Sequence, residues 1–331
     1  MGKTALIFGA SGVSGWAFVN EILDDYPRKG TWDRVHALTN RLLEKQESYW
    51  PDDSRLSIVS GIDLLKRSQE ELEKTMICRI DSVEKITHVY YLAHKASRDM
   101  QQELEDAVVM FKRSTAAIDH LSPALEFVVL RTGAKTYGCH LLENHPTDYI
   151  HITRCAANKR WNWCGTRPDI VVGFVPDRNS NSLGTVLAIY LALYHESWKA
   201  KSNDSSSDMI ARQTLHLSLK GEGSNVADAK TPETWSSKWP QLCAWFGVRS
   251  APPPSDDSGG LREVRKYVNE HIDVWKCMEE KYGLKKGVAD SDLTFQGFEY
   301  FLLTQSDFDR QYDMTKMYAT GFEEERDVMG A

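Results

Sequence analysis

The chain has 331 residues, more than one ordinary domain, and 41% of them are hydrophobic, with ten tryptophans and thirteen tyrosines. A chain of this length and composition can bury a sizeable core. Its formal net charge of −7 disfavours nucleic acid or an anionic membrane as a partner. The longest apolar run, residues 183–194, is too short to cross a bilayer.

The six cysteines are scattered and form no Cys-x-x-Cys pattern or metal-ligand spacing. Such isolated cysteines are typical of reduced thiols in a cytosol-like compartment. The N-terminus leads directly into an apolar strand, and this favours a chain without a cleaved targeting segment. We therefore expect a cytoplasmic protein that binds no membrane, no nucleic acid and no metal.

The first element is an apolar strand at residues 4–8 that runs into a Gly-x-x-Gly-x-x-Gly turn and a helix at residues 16–23. Gly9 permits the tight turn, Gly12 lets backbone N–H groups approach a pyrophosphate, and Gly15 allows close helix–strand packing. The helix N-terminus is aimed at the anion. The pattern predicts a dinucleotide site, and the alternative is a glycine-rich turn that binds nothing.

The second strand, residues 33–38, indicates which dinucleotide is bound. NAD-selective sites place an acidic residue at the end of this strand to bind the ribose 2′-hydroxyl. No residue from Val35 to Leu43 is acidic, and Arg41 offers a cation where a 2′-phosphate would lie. The sequence therefore favours NADPH, with a solvated surface arginine as the alternative interpretation.

Strand-like runs then alternate with helical patterns at residues 68–75 and 101–121. The predicted strands are residues 4–8, 34–38, 55–60, 88–92, 125–130 and 169–175. Apolar strands alternating with helices indicate a parallel sheet covered on both faces, so the predicted fold is an α/β, Rossmann-type doubly wound parallel sheet.

Beyond residue 176 the pattern changes to helices rich in aromatic residues and a Pro/Gly/Ser-rich linker at residues 251–260. We predict an NADP-binding domain at residues 1–176. Residues 177–331 would form a smaller, mainly helical substrate region with some segments returning to the sheet. A substrate pocket is expected between the carboxyl edge of the sheet and the aromatic helices.

Several segments carry a resemblance to a known family. They are Arg-Thr-Gly-Ala-Lys-Thr-Tyr-Gly at 131–138, residues 166–176, 223–228 and 235–240, Val274-Trp275, Tyr-Gly-Leu at 282–284 and Asp-Met-Thr-Lys at 313–316. With the glycine turn, they resemble the progesterone 5β-reductase/iridoid synthase-like branch of the short-chain dehydrogenase/reductases, in its fungal form. The resemblance covers nearly the whole chain.

The resemblance implies a set of cofactor-binding residues that extends over much of the first half of the chain. The glycine turn would hold the NADPH pyrophosphate, and Asn40 and Arg41 replace the two arginines that often bind the 2′-phosphate. The full implied set is Gly9, Ser11, Gly12, Val13 and Gly15 at the pyrophosphate, Asn40 and Arg41 at the 2′-phosphate, Asp63 and Leu64 beside the adenine, and Leu92, Ala93, Thr132 and Val171 on the nicotinamide side.

The family chemistry adds a hydride to the β-carbon of an enone or enal. Negative charge then grows on the carbonyl oxygen, which needs a positioned donor. In the family a tyrosine hydroxyl is this donor, and a nearby lysine lowers its pKa. Lys135 corresponds to that lysine and is the predicted catalytic residue.

The tyrosine of the family pattern is missing. Residues 136–166 contain no Tyr-x-x-x-Lys, and only residues 150–160 leave room for a helix. Tyr149 corresponds to an upstream loop position and is not promoted to the catalytic role. Either the protein lacks this helix, or the printed sequence joins the flanks of a longer loop near His151 and again near residues 200–206. Steps other than 3.8 Å between consecutive Cα atoms would reveal the second case.

Three hypotheses follow. The first is an NADPH-dependent reductase of an activated alkene or carbonyl in a small apolar secondary metabolite. The second is a non-redox isomerase or cyclase on the same fold, and the third is a nucleotide-binding regulatory protein. A small-molecule substrate is expected, and a homodimer is left open.

Overall fold

The protein is described by a computed structural model. The structure describes residues 2–97, 99–137, 152–153, 156–176, 183–193, 201–202, 204–247, 249–250, 264–291, 294–295 and 311–326. The two stretches where a joined loop was considered, near His151 and at residues 200–206, lie partly outside the described residues.

A seven-stranded parallel sheet forms the centre of the molecule. Its strands are β1 (Lys3–Phe8), β2 (Trp32–Thr39), β3 (Leu56–Ser60), β4 (His88–Tyr91), β5 (Phe127–Arg131), β6 (Asn162–Pro168) and, after three short strands, β10 (Ser224–Val226). The order across the sheet is β10-β6-β5-β4-β1-β2-β3. The first six strands thus follow the 3-2-1-4-5-6 order of a doubly wound dinucleotide fold, which confirms the predicted fold class.

Five of the predicted strands lie within one or two residues of their observed positions, but the sixth was misplaced. The prediction put it at residues 169–175, whereas the sheet takes Asn162–Pro168. The apolar run that suggested the strand forms the short β7 (Ile170–Val172), which pairs with β9 (Asp204–Ser206) outside the main sheet. The true strand has few apolar side chains, and its place in the sheet is set by backbone pairing with β5 on one side and β10 on the other.

The helices include α1 (Val13–Leu23), α2 (Lys45–Ser48), α3 (Gln69–Arg79), α4 (Met100–Leu121), α5 (Leu183–Leu193), α6 (Ser207–Lys220), α7 (Trp235–Trp245), α8 (Val264–Glu270), α9 (Ile272–Tyr282) and α10 (Thr315–Ala319). Helices were predicted at residues 16–23, 68–75 and 101–121, and these correspond to α1, α3 and α4, of which α4 agrees within one residue while α1 begins earlier and α3 ends later. Local signals fix several ends. Ser68 forms a capping box with Glu71, and the Asp99 carboxylate caps α4 by accepting from two backbone N–H groups.

Each face of the sheet is covered by its own pair of helices. Helices α1 and α6 pack against one another over one face, burying a cluster that includes Val129, Cys164 and Val226. Helices α3 and α4 cover the other face. The crossover from β5 to β6 ends on that second face, where Trp161 is buried and donates from Nε1 to Asp119 of α4 at 2.9 Å.

The C-terminal part forms a third apolar cluster among α5, α7, α8 and α9, which includes Trp239, Tyr267 and Trp275. Segments of this part also return to the sheet, since β10 pairs with β6. The proposed boundary at residue 176 stays a prediction. Within the described residues, no helix is long and apolar enough to cross a membrane.

Candidate functional site

Except for Val171, the sequence-predicted site residues follow the carboxyl ends of neighbouring parallel strands. The glycine turn follows β1, Asn40 and Arg41 follow β2, and Asp63 and Leu64 follow β3. Leu92 and Ala93 follow β4, and Thr132 and Lys135 follow β5. Strand order reverses between β1 and β4, and ligands of open α/β sheets bind at such a switch point, outside the carboxyl ends of the strands.

The glycine turn has a backbone that other residues would not fit. Gly9 has a φ of +82°, and a Cβ added there would lie 2.8 Å from the backbone N and Cα of Ala93. A Cβ on Gly15 would lie 2.2 Å from the Gly9 carbonyl oxygen. The turn is closed by a bond from the Gly12 N–H to the Gly9 carbonyl at 3.0 Å. Close approach of helix, turn and strand β4 therefore requires these glycines.

The N-terminus of α1 is arranged to accept an anion. Gly12 is the N-cap, so no side chain caps the helix, and its first turn holds no acidic residue. The Ser14 hydroxyl is buried and has no hydrogen-bond partner among the described residues. Uncapped N–H groups and an orphaned hydroxyl fit a phosphate, because a bound anion would satisfy them. Val13 packs here against Gly173, whose added Cβ would lie 3.2 Å from Val13 Cγ2.

Hydroxyl groups join the ends of β2 and β3. Thr39 Oγ1 donates to the Arg41 carbonyl at 2.6 Å and lies 3.1 Å from Ser60 Oγ, which also accepts from the Leu43 N–H at 3.1 Å. Asn40 and Arg41 are exposed at this corner. The Arg41 guanidinium is thus exposed, while the hydroxyls of Thr39 and Ser60 fix the backbone of the corner through hydrogen bonds. Sequence reasoning missed Thr39 and Ser60, although their place at the strand ends is a signal.

Asp63 holds the loop after β3. Its Oδ1 accepts from the N–H groups of Leu65 at 2.9 Å and Lys66 at 3.2 Å. Burial works against ionisation, but the two N–H donors and the Lys66 charge outweigh it and lower the pKa of the carboxyl. The Leu64 carbonyl accepts from Arg113 at 2.8 Å. Both predicted adenine neighbours therefore have fixed backbone positions.

The ends of β4 and β5 complete the crevice. Leu92 is nearly buried, and its N–H donates to the Phe8 carbonyl at 3.0 Å, so β4 stays paired with β1 to its last residue. The Thr132 N–H donates to the Thr166 carbonyl at 3.0 Å. Lys135 lies in a short 3₁₀ turn, Ala134–Tyr137, directly after β5. Its side chain is outside the described part of the structure.

Val171 lies outside the main sheet. It falls within the predicted sixth strand, residues 169–175, but the sheet strand ends at Pro168 and Val171 belongs to β7. It is buried in the cluster between α1 and α6. The prediction mistook the apolar run that contains Val171 for the sixth sheet strand. The role of Val171 on the nicotinamide side stays a prediction.

A cavity of about 380 Å³ lies along the outer edge of β3. Its lining residues, such as Leu43, Ile58 and Arg79, include none of the predicted site residues. The expected substrate pocket beside the aromatic helices depends on residues 177–182 and 296–310, which lie outside the described residues. The cavity adjoins the corner after β2, because Ser60 and residues 42–45 line it, while the other candidate residues follow the carboxyl ends of β1, β4 and β5.

Comparison with known proteins identifies the family. The model of the PRISE-like Rossmann-fold domain matches residues 5–156 and 147–331. The short chain dehydrogenase sirQ of Leptosphaeria maculans is 30% identical, with 97% of this chain and 91% of that protein covered. The short chain dehydrogenase ausT of Aspergillus calidoustus is 32% identical, with 98% and 90% covered. A (S)-8-oxocitronellyl enol synthase of Nepeta cataria is 24% identical, with 85% and 78% covered.

Solved structures share the fold. A reductase from a study of structure-guided engineering matches with a TM-score of 0.60 at 14% identity, covering 100% of this chain and 97% of that one. A Thermus thermophilus UDP-glucose 4-epimerase in complex with NAD matches with a TM-score of 0.53 at 16% identity, covering 81% and 92%. At such identities the likeness concerns the fold alone.

The same comparisons show where this chain departs from its relatives. The alignments to sirQ and ausT extend over 367 and 381 positions, more than the 331 residues of this chain, so these relatives carry internal residues that it lacks. The two stretches matched by the family model overlap at residues 147–156. The family model therefore matches in two parts that meet inside the crossover from β5 to β6, where the sequence contains no Tyr-x-x-x-Lys.

The family model, in two parts, and the fungal relatives each match nearly the whole chain. The chain belongs to the PRISE-like Rossmann-fold family and is an oxidoreductase of the short-chain dehydrogenase/reductase type.

Proposed function

We propose that the protein binds NADPH and reduces an activated alkene or carbonyl in a small apolar metabolite. The observation that carries the cofactor half of this proposal is the turn after β1, in which Gly9 and Gly15 leave no room for a Cβ. Ser11 and Val13 belong to the same turn and would bind the pyrophosphate through their backbone N–H groups, while Gly12, whose own N–H closes the turn, would let the pyrophosphate approach. Ser14 would add its hydroxyl, which has no partner among the described residues.

The choice of NADPH over NADH depends on the corner after β2. A carboxylate there would bind the ribose 2′-hydroxyl and repel a 2′-phosphate. This corner carries Asn40 and Arg41, both exposed, and no acidic side chain between Val35 and Leu43. A guanidinium binds phosphate oxygens through charge-assisted hydrogen bonds. The corner is thus suited to the 2′-phosphate.

The reductive half of the proposal depends on the segment after β5. NADPH would supply the hydride, and Lys135 would hold the reacting end of the cofactor and favour protonation of the substrate oxygen. Leu92, Ala93 and Thr132 line the same edge and would orient the nicotinamide side. An acceptor alkene fits the family, since one relative is named as an enol synthase.

A second candidate function is non-redox chemistry on a bound nucleotide. One observation favours it: the crossover, where the two parts of the family match meet, contains no Tyr-x-x-x-Lys. Without that donor, the site would stabilise an oxyanion less well during hydride transfer. The pocket would then orient a substrate for isomerisation or cyclisation.

The purified full chain distinguishes these functions. It is incubated with NADPH and a panel of enones, enals and ketones, while cofactor absorbance and products are both followed. Stoichiometric loss of NADPH with a reduced product supports the reductase. A changed product with unchanged NADPH supports the second function, and tight NADPH binding without any product would leave a regulatory protein and contradict both.

A further inference from the structure

Three side chains form a polar row on the face of the sheet beneath α1 and α6. Arg131 is the last residue of β5 and is paired in register with Thr166 of β6, which is paired with Ser224 of β10. Paired residues of neighbouring parallel strands point to the same face. Val129 and Cys164, two residues before Arg131 and Thr166, belong to the cluster under α1 and α6, so the row lies on that face.

The row holds a cation, Arg131, for which the described residues provide no acidic partner. Within the described residues, no carboxylate pairs with Arg131, and the one titratable group that acts on it is the hydroxyl of Tyr312. The guanidinium is largely removed from water, and burial lowers its pKa to about 10. A buried charge without a counter-charge is costly, so proteins usually pair it or bind an ion to it.

Two donors of the row also lack partners. Neither Arg131 Nε nor Thr166 Oγ1 makes a hydrogen bond within the described chain, although both atoms are buried. Thr166 is fully buried and Ser224 is 3% exposed. The arrangement combines one guanidinium with two adjacent hydroxyls, and these groups together bind the oxygens of a carboxylate or phosphate.

The row lies at the carboxyl edge, beside the proposed site. Arg131 immediately precedes Thr132, and Thr166 lies two residues before the end of β6. Residues 312–314 lie near this region, since Met314 is buried in the same cluster as Cys164 and the Tyr312 hydroxyl acts on Arg131. An anionic group of a molecule held at the carboxyl edge could therefore reach the row beneath the C-terminal segment.

We propose that Arg131, Thr166 and Ser224 form an oxyanion-binding subsite, which accepts a carboxylate of the substrate or a phosphate. The subsite does not require hydride transfer, so it stands or falls separately from the reductase function. For the proposed reductase it adds one requirement: an otherwise apolar substrate that carries a carboxylate would bind better than its neutral ester.

The test measures thermal unfolding of the full chain with sodium acetate, succinate or inorganic phosphate, against sodium chloride at equal ionic strength. We expect the oxyanions to raise Tm by roughly 2–4 °C in the wild type and by less than 1 °C in Arg131→Gln. The matched control is Arg160→Gln, which removes an arginine at the opposite end of β6, where it donates to the Ser122 carbonyl, and should keep the wild-type response.

A second variant protects the test from a folding defect. Thr166→Val removes a hydroxyl that has no partner in the described structure, so the chain should fold with an unchanged or higher Tm while its oxyanion response falls by at least half. A larger response to succinate than to phosphate would assign the subsite to a substrate carboxylate, and the reverse to a phosphate. Equal oxyanion responses in wild type, Arg131→Gln and Thr166→Val would overturn the proposal, whatever the NADPH assays show.

Discussion

The turn after β1 and the crossover after β5 leave the same edge of the sheet, yet they differ in how fully they follow the family. The turn has glycines at every position where a side chain would collide, and it lies inside a continuous family match. The two parts of the family match meet in the crossover, at residues 147–156, and the crossover contains no Tyr-x-x-x-Lys. Under the proposed function, cofactor binding and proton donation would depend on these separate segments, so one can be complete while the other is altered.

The largest expected effect is a loss of turnover when Lys135, in the segment that follows β5, is replaced. Lys135→Ala should lower turnover by about 100-fold or more, because it removes a group that assists proton transfer. NADPH affinity should change by only a few-fold, since the pyrophosphate contacts are at the other segment. Steady-state kinetics and NADPH titration of the same preparation measure both. Unchanged turnover would remove Lys135 from the proposed mechanism.

The next effect concerns the turn itself. Gly9→Ala should lower the free energy of unfolding by about 3 kcal/mol, because it combines a positive φ with a Cβ 2.8 Å from the Ala93 backbone. It should also abolish NADPH binding. The matched control is Gly30→Ala, where φ is +79° but nothing lies within 4 Å, so only about 1 kcal/mol is expected. Equal losses in urea unfolding would show that the close approach to β4 is not a constraint.

A smaller effect concerns how the free energy of unfolding depends on pH through β2, a strand next to β1 and its turn. Burial, reinforced by the Arg34 charge, lowers the pKa of His36 in β2 to about 4. Unfolded histidine titrates near pH 6.5, so the unfolded state binds more protons below that pH and stability is lost as pH falls from 6.5 towards 4. Between pH 7 and 5 this one histidine should cost about 2 kcal/mol.

His36→Leu should remove most of that loss, since neither ring nitrogen of His36 has a hydrogen-bond partner in the described chain. Urea unfolding at the two pH values measures it. His120→Gln serves as the control, because that side chain is 74% exposed and should leave nearly all of the pH dependence in place. An identical pH slope in wild type and His36→Leu would contradict the assignment.

The smallest effect concerns the choice of cofactor. Arg41→Ala should weaken NADPH binding by about tenfold, the value of one solvent-exposed charge-assisted contact, and leave NADH binding unchanged. Asn40→Ala should alter both affinities by less, because an amide adds no charge. Isothermal titration with both cofactors measures the ratio. If the loss were equal for NADPH and NADH, Arg41 would not be recognising the 2′-phosphate.

The first five strands and the glycine turn could be predicted from the sequence because local signals specify them. Residues 4–8 form an apolar run that ends at glycines with a clear conformational role, and Ser68 begins α3 with a capping box. The sixth strand could not be predicted in this way. Asn162–Pro168 alternates with polar residues and contains Gly165, and it becomes a strand because β5 and β10 pair with it on either side.

The candidate site shows the same limit. The role of Gly9 and Gly15 can be predicted because they belong to one short sequence motif. Arg131 and Thr166 are 35 positions apart in the sequence and become neighbours only through the register of β5 and β6. A lone arginine at a strand end is indistinguishable from a surface residue until that pairing is known. Thr39 and Ser60 were missed for a similar reason, since their contact joins β2 to β3 across the sheet.

The central claim is that the turn after β1 retains NADPH binding even though the crossover is altered. Isothermal titration calorimetry of the full chain with NADPH and, separately, with NADH tests this claim most directly. We predict one NADPH bound per chain, at least tenfold more tightly than NADH. Absence of binding, or tighter binding of NADH, would contradict the account.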